Sequence, residues 1–107
     1  MNTEQARFNM VEQQIRTWEV LDQTVLDLLY EVHREDFVPE AYRSLAFSDL
    51  EIPLGKEASQ RMWAPRVEAR VLQTLAIKKS DRILEIGTGS GYLAALLARR
   101  GHAVFSV

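Results

Sequence analysis

The chain contains no cysteine. That removes disulfides, zinc–thiolate sites and cysteine nucleophiles together, and it fits a reducing compartment. A strong charge of either sign is also missing. The net charge is −2, so nothing in bulk electrostatics favours nucleic acid or an anionic membrane as a partner. Long apolar runs are absent. The longest, "YLAALLA", is seven residues, against about 20 for a bilayer-spanning helix. The first residues, "MNTEQARFNM", are polar and mixed in charge and lack a signal peptide's apolar centre. The expected location is cytoplasmic, by default. No repeat, low-complexity tract or metal-binding cluster is visible. Glycine is scarce, with five residues in all, yet Gly87, Gly89 and Gly91 fall within five positions.

What is present reads as helix first and α/β later. Thr3 is a candidate N-cap, with Glu4 in the first turn. Phe8, Val11, Ile15 and Trp18 follow at helical spacing and predict one apolar face. Asp22 caps a second helix whose stripe is Val25, Leu26, Leu29 and Val32, widened by Leu28. Pro39 suits a first helical position. "REDF" reads as a solvated helix end, and His33 beside it as a partner of the helix dipole. The stretch 47–65 reads as loop with a short strand at Leu50 to Leu54. Pro65 opens a third helix carrying Val67, Val71, Leu72 and Leu75. "RILEI" is a continuous apolar strand of the kind buried on both faces of a parallel sheet. A helix from about Gly91 to Arg100 ends at Gly101, a candidate C′ residue. "HAVFSV" is the next strand, with His102 exposed at its start. Strand, glycine turn, helix and strand make a βαβ unit with a right-handed crossover. Residues 1–60 form a helical cap region, and 61–107 the start of a Rossmann-like domain.

The glycine turn narrows the ligand. A glycine turn between a strand and a helix lets the backbone approach a ligand at the helix N-terminus. A P-loop needs a lysine after its last glycine, and none follows Gly91. The dinucleotide fingerprint needs a glycine where Tyr92 stands, which argues against a nucleotide-dependent oxidoreductase. The pattern that remains, Glu85, Gly87, Gly89 and Gly91 in "RILEIGTGSGY", resembles the first motif of S-adenosylmethionine-dependent methyltransferases with a Rossmann-like sheet. That resemblance implies S-adenosyl-L-methionine as cofactor. Its site would comprise Glu85, Gly87, Thr88, Gly89, Ser90 and Gly91, with Glu85 near the methionine end.

A wider resemblance covers nearly the whole chain. "MVEQQI", "VLDLLYEVHREDFVPEAYRSLAFSD", "IPLG" and "RILEIGTGSGYLAALLA" occur in the order found in the N-terminal half of the protein-L-isoaspartate O-methyltransferase family. "REDFVPEAY" and "EIGTGSGY" are the specific parts. The resemblance implies protein repair, in which the free carboxylate of an isoaspartyl residue in a damaged protein or peptide is methylated. The enzyme need only align acceptor and methyl donor and exclude water. No metal or general base is needed, and no catalytic residue can be named.

One loop departs from the family, which usually carries Gly-Gln-Thr-Ile-Ser-x-Pro. Here the stretch is "GKEASQRMWAP". Matching Gln60 and Pro65 puts Trp63 in the serine's place. The other register keeps Ser59 as the serine. Ser59, Gln60 and Trp63 are therefore the candidate substrate-loop residues. In the favoured first register the isoaspartyl-binding hydroxyl is absent, so either the acceptor or the activity has changed, or Trp63 packs beneath the loop. The resemblance also implies a sheet of about seven strands, of which this chain supplies the first two of the main run. The fold class is thus a truncated α/β methyltransferase. A chain of this kind is expected to bind cofactor weakly or not at all, to lack transferase activity alone, and to expose strand edges open to self-association. An acidic residue is expected directly after Val107.

Overall fold

The computed structural model describes residues 2–57, 59–87 and 89–107. Helix α1 spans Thr3–Asn9. Its cap is Asn2 rather than the predicted Thr3: the Asn2 side chain accepts a hydrogen bond from the Gln5 N–H at 3.0 Å. An amide oxygen satisfies the orphan donor as well as a hydroxyl would. The chain then widens into a π-helical turn over Met10–Ile15 and tightens to a 3₁₀ turn over Arg16–Trp18. These changes of pitch break the predicted apolar face. Val11 and Ile15 are buried, but Phe8 is 50% and Trp18 43% exposed. Arg7 takes the inner place beside Met10 instead. Its guanidinium donates to both carboxylate oxygens of Glu35, at 2.8 and 2.7 Å, and lies 5.1 Å from the Phe47 ring centroid. The paired geometry offsets the cost of burying the charge. It also holds the Glu35 carboxyl below its ordinary pKa, chiefly through the Arg7 hydrogen bond.

Helix α2, Gln23–Glu31, starts as the sequence predicts. The Asp22 carboxylate accepts from the Thr24 N–H at 2.9 Å. Val25, Leu26, Leu28, Leu29 and Val32 are all buried. Burying each Leu is worth about 1.5–3 kcal/mol relative to exposure. Two 3₁₀ turns follow, Arg34–Phe37 and Glu40–Leu45. Pro39 flanks the second turn with extended ψ and does not occupy its first helical position.

The predicted strand at 50–54 is shorter, β1 at Ile52–Pro53. It pairs antiparallel with an unpredicted strand, β2 at Arg61–Met62, in the register Ile52↔Met62 and Pro53↔Arg61. Leu54 N–H extends the ladder to the Gln60 carbonyl at 2.7 Å. Helix α3, Pro65–Leu75, has Pro65 in its first turn and ends at Ala76 in the left-handed conformation. One side chain on α3 clamps the entry to α2. Gln73 Oε1 accepts from the N–H groups of Leu21 and Asp22, and its Nε2 donates to the Glu19 carbonyl.

Strands β3, Arg82–Glu85, and β4, Ala103–Ser106, are parallel and joined through helix α4, Tyr92–Arg100. The register runs from Arg82↔Ala103 to Glu85↔Ser106. Only one face of this pair packs on the core, through Ile83 and Val104. On the other face Leu84 is 66% exposed, and Arg82 lies over the Phe105 ring. The sequence predicts burial on both faces, and this two-stranded sheet covers one. Gly101 is extended rather than left-handed. Its reason for being glycine is space: a Cβ there would lie 2.8 Å from Ile83 Cδ1 and 3.0 Å from the Asp81 carbonyl oxygen. Buried side chains from α2, α3 and α4 belong to one cluster that also takes in Ile15, Ile52 and Met62.

Candidate functional site

The glycine turn leaves the carboxyl end of β3. Gly87, Gly89 and Gly91 all have positive φ, at 76°, 61° and 86°. Side chains avoid that region by about 1–2 kcal/mol per residue, so the spacing of the glycines reflects the path of the turn. The first bonds of the turn continue the sheet: Val107 N–H donates to the Glu85 carbonyl at 3.0 Å, and Gly87 N–H donates to the Val107 carbonyl at 2.8 Å. Gly91 is the N-cap of α4, and the Ser90 hydroxyl accepts from the Tyr92 N–H at 3.3 Å. The Glu85 carboxylate accepts from the Ser106 hydroxyl at 3.0 Å. Thr88 lies outside the described residues.

The β1–β2 hairpin stands opposite this turn. A Cβ on Gly89 would lie 3.1 Å from Leu54 Cδ1, which measures how closely the two approach. Between them is a cleft of about 160 Å³ whose walls include Ser59, Arg61 and Trp63 on one side and Glu85, Gly87, Gly89 and Ser90 on the other. A more open depression of about 460 Å³ shares Leu54, Ser59, Arg61, Gly87 and Gly89, and adds Gly55 and Gln60. The structure therefore brings the two sequence-predicted groups together. Ser59 and Trp63 line the narrow cleft and Gln60 the wider one. Gln60 also shapes the hairpin, since its Oε1 accepts from the Glu57 N–H and fills the space where Gly55 would carry a Cβ. Trp63 does not pack beneath the loop. It is 47% exposed, at the cleft wall.

Beneath the cleft sits a cluster that apolar periodicity does not show. Arg34, from the supposedly solvated "REDF" segment, is fully buried. It donates to Glu68 of α3, and its other terminal nitrogen donates to the Trp63 carbonyl at 3.0 Å. Its guanidinium lies 5.1 Å from the Tyr92 ring centroid, and Tyr92 in turn packs at 5.6 Å against Phe37. One side chain thus ties together the segment at Trp63, α3 and the first residue after the glycine turn. Glu68 reaches the cleft wall. Burial raises its pKa to about 7, against the opposing pull of Arg34. Burial also pushes the Tyr92 phenol upward. Tyr92 Oη has no hydrogen-bond partner among the described residues. The one sequence signal for Glu68 is an acid beside Val67 and four residues before Leu72, on the inner side of the helix. Tyr92, which breaks the dinucleotide fingerprint, is there as core.

Among the described residues no group of three His, Asp or Glu side chains could hold a metal ion, and no helix is long and apolar enough to cross a membrane.

Comparison with known proteins places this geometry in a family. The family model described as protein-L-isoaspartate(D-aspartate) O-methyltransferase matches residues 5–107. A protein-L-isoaspartate O-methyltransferase 2 of Anaeromyxobacter sp. (strain Fw109-5) is 42% identical over 97% of this chain, which covers 42% of that relative. The protein-L-isoaspartate O-methyltransferase of Methylorubrum extorquens (strain PA1) is 41% identical over 96% of this chain, covering 44% of the relative. The chain thus spans less than half the length of these relatives. Among solved structures, a Plasmodium falciparum chain assigned to protein-L-isoaspartate O-methyltransferase, in complex with S-adenosyl-L-homocysteine, superposes with a TM-score of 0.68. It is 22% identical and is matched over 92% of this chain and 42% of its own. At that identity the superposition establishes the Rossmann-like methyltransferase fold.

Proposed function

The chain belongs to the protein-L-isoaspartate(D-aspartate) O-methyltransferase family, and from that premise we propose that its cleft serves S-adenosylmethionine-dependent methylation of a carboxylate in damaged protein. The observation that carries the reading is the juxtaposition of Gly87, Gly89 and Ser90 with Ser59, Arg61 and Trp63 across one cleft. The glycine turn fits the cofactor because it offers bare backbone and an acid, Glu85, with no phosphate-binding lysine. Glu85, Gly87, Gly89, Ser90 and Gly91 would hold it, with Thr88 between them in sequence.

When bound, S-adenosylmethionine supplies a methyl group on an electrophilic sulfonium. The chain's own residues bind and orient. The turn offers N–H groups at the start of α4. The hairpin, set by Gln60 against Gly55, presents Ser59 and Trp63 to an acceptor. Arg34 fixes the loop through the Trp63 carbonyl. An ionised carboxylate is already nucleophilic, so alignment and exclusion of water are the tasks left.

This chain thus carries the cofactor turn and the acceptor loop, with weak cofactor binding and no turnover by the 107 residues alone. Titration with S-adenosylhomocysteine into the millimolar range, followed by amide NMR, should move Gly87, Gly89 and Gly91 first. Shifts scattered over the surface, or none, would overturn it. Micromolar affinity would contradict the weak-binding part alone.

A second reading is favoured by Trp63, which stands exposed where the family's serine is expected. In that reading the fold keeps the cofactor but takes another acceptor, or only senses the cofactor. An isoaspartyl peptide that moves the Trp63 indole resonance, while its normal aspartyl counterpart does not, would remove this second reading.

A further inference from the structure

We infer that Arg61 is the carboxylate-recognising residue of the cleft, an assignment that rests on reading the cleft as a methyl-transfer site. Among the described residues lining the two parts of the cleft, Arg61 is the one cation, and it lines both. The remaining charges there are Glu68 and Glu85. A carboxylate entering the cleft meets two acids and, among the described residues, a single cation.

The position of Arg61 is set by backbone pairing. It lies opposite Pro53 in the β1–β2 register, with Leu54 N–H bonded to the adjoining Gln60 carbonyl. The strand alternation that buries Met62 turns Arg61 outward to the cleft. Among the described residues its guanidinium makes no ion pair or hydrogen bond. That contrasts with Arg7 and Arg34, whose charges are already committed to Glu35 and Glu68. A free guanidinium presents a planar fork of donors that matches a carboxylate in bidentate geometry. The loop that places Trp63 in the serine's position therefore supplies a cation two residues earlier. A positively charged fork of two donors replaces the single donor of a hydroxyl.

Two carboxylates could use it: the acceptor's α-carboxylate, or the one on the amino-acid end of the cofactor. Three ligands separate them by NMR titration of the whole chain and its Arg61→Gln variant. These are S-adenosylhomocysteine, 5′-methylthioadenosine (which lacks the amino-acid end) and an isoaspartyl peptide. Losing a charge-assisted contact weakens binding about ten- to a hundredfold. Weaker S-adenosylhomocysteine binding with unchanged methylthioadenosine binding assigns Arg61 to the cofactor's carboxylate. Weaker peptide binding with unchanged S-adenosylhomocysteine binding assigns it to the acceptor's. In either case Arg61→Lys should recover part of the loss. Unchanged binding of all three ligands overturns the Arg61 assignment and leaves the methyl-transfer reading standing. Equal weakening of all three, methylthioadenosine included, also overturns it. A wild-type chain that binds none of them overturns both. Arg61 is exposed, so the Arg61→Gln variant should unfold at the wild-type urea midpoint.

Discussion

Replacing Glu68 by glutamine should change how the stability of this protein responds to pH. Glu68 is 3% exposed, and burial raises its pKa from 4.5 to about 7. A proton held more tightly in the folded state than in the unfolded state stabilises the fold at low pH. That contribution is fully present below about pH 4.5 and is lost as pH rises through about 7. At about 1.36 kcal/mol per pH unit of difference, the loss is about 3 kcal/mol. Domains of this size have about 5–15 kcal/mol of stability in all, so the effect is large. The glutamine side chain imitates the protonated carboxyl. It can still accept from Arg34, but it cannot ionise. Urea unfolding of both proteins from pH 4 to pH 8 would measure the difference. Comparing the two proteins isolates position 68, the one site at which they differ. The wild-type midpoint should fall relative to Glu68→Gln by about 1–3 M over that range, for a urea slope of about 1–3 kcal/mol per molar. A difference curve flat between pH 5 and pH 8 would mean that attraction to Arg34 offsets burial and that Glu68 is ionised throughout that range, rather than titrating at about pH 7.

Other perturbations test the remaining contacts. Arg34→Met leaves Glu68 buried without its partner and frees the Trp63 carbonyl. It should cost about 3–5 kcal/mol at pH 8 and less at pH 5, again by urea unfolding. Tyr92→Phe removes a buried hydroxyl that has no partner among the described residues. It should be neutral or stabilising by about 1 kcal/mol, and a loss of thermal midpoint would show that the hydroxyl is satisfied in solution. Gly101→Ala forces a Cβ against Ile83 and the Asp81 carbonyl and should cost about 1–3 kcal/mol, whereas an unchanged midpoint would mean that β4 shifts freely. Asp22→Ala removes the α2 cap and should cost about 1 kcal/mol, with Asp22→Asn restoring most of it.

The division between sequence and tertiary structure follows from the range of the forces involved. Asp22 as a cap, Pro65 at the start of α3, and the strand–glycine–helix order of 82–100 are decided within a few residues. Capping, the fixed φ of proline and the freedom of glycine act at that distance, so these elements were legible in the chain. So was the pattern of Glu85 and three glycines that separates this turn from a phosphate loop. The π-turn at Met10–Ile15 was not, nor was the pairing of Arg61–Met62 with Ile52–Pro53. The first rotates a helix face to accommodate a buried arginine. The second joins strands of two residues each, too short to show a period. Arg34 and Glu68 are 34 positions apart, and each alone reads as a surface charge. Only packing puts them together, because a buried charge becomes tolerable once its partner is in reach. Placing Trp63, Arg61 and the glycine turn around one cleft is likewise a property of the folded chain. The strand, the three glycines and the missing lysine of the turn are written in the chain, and what stands across from them follows from packing.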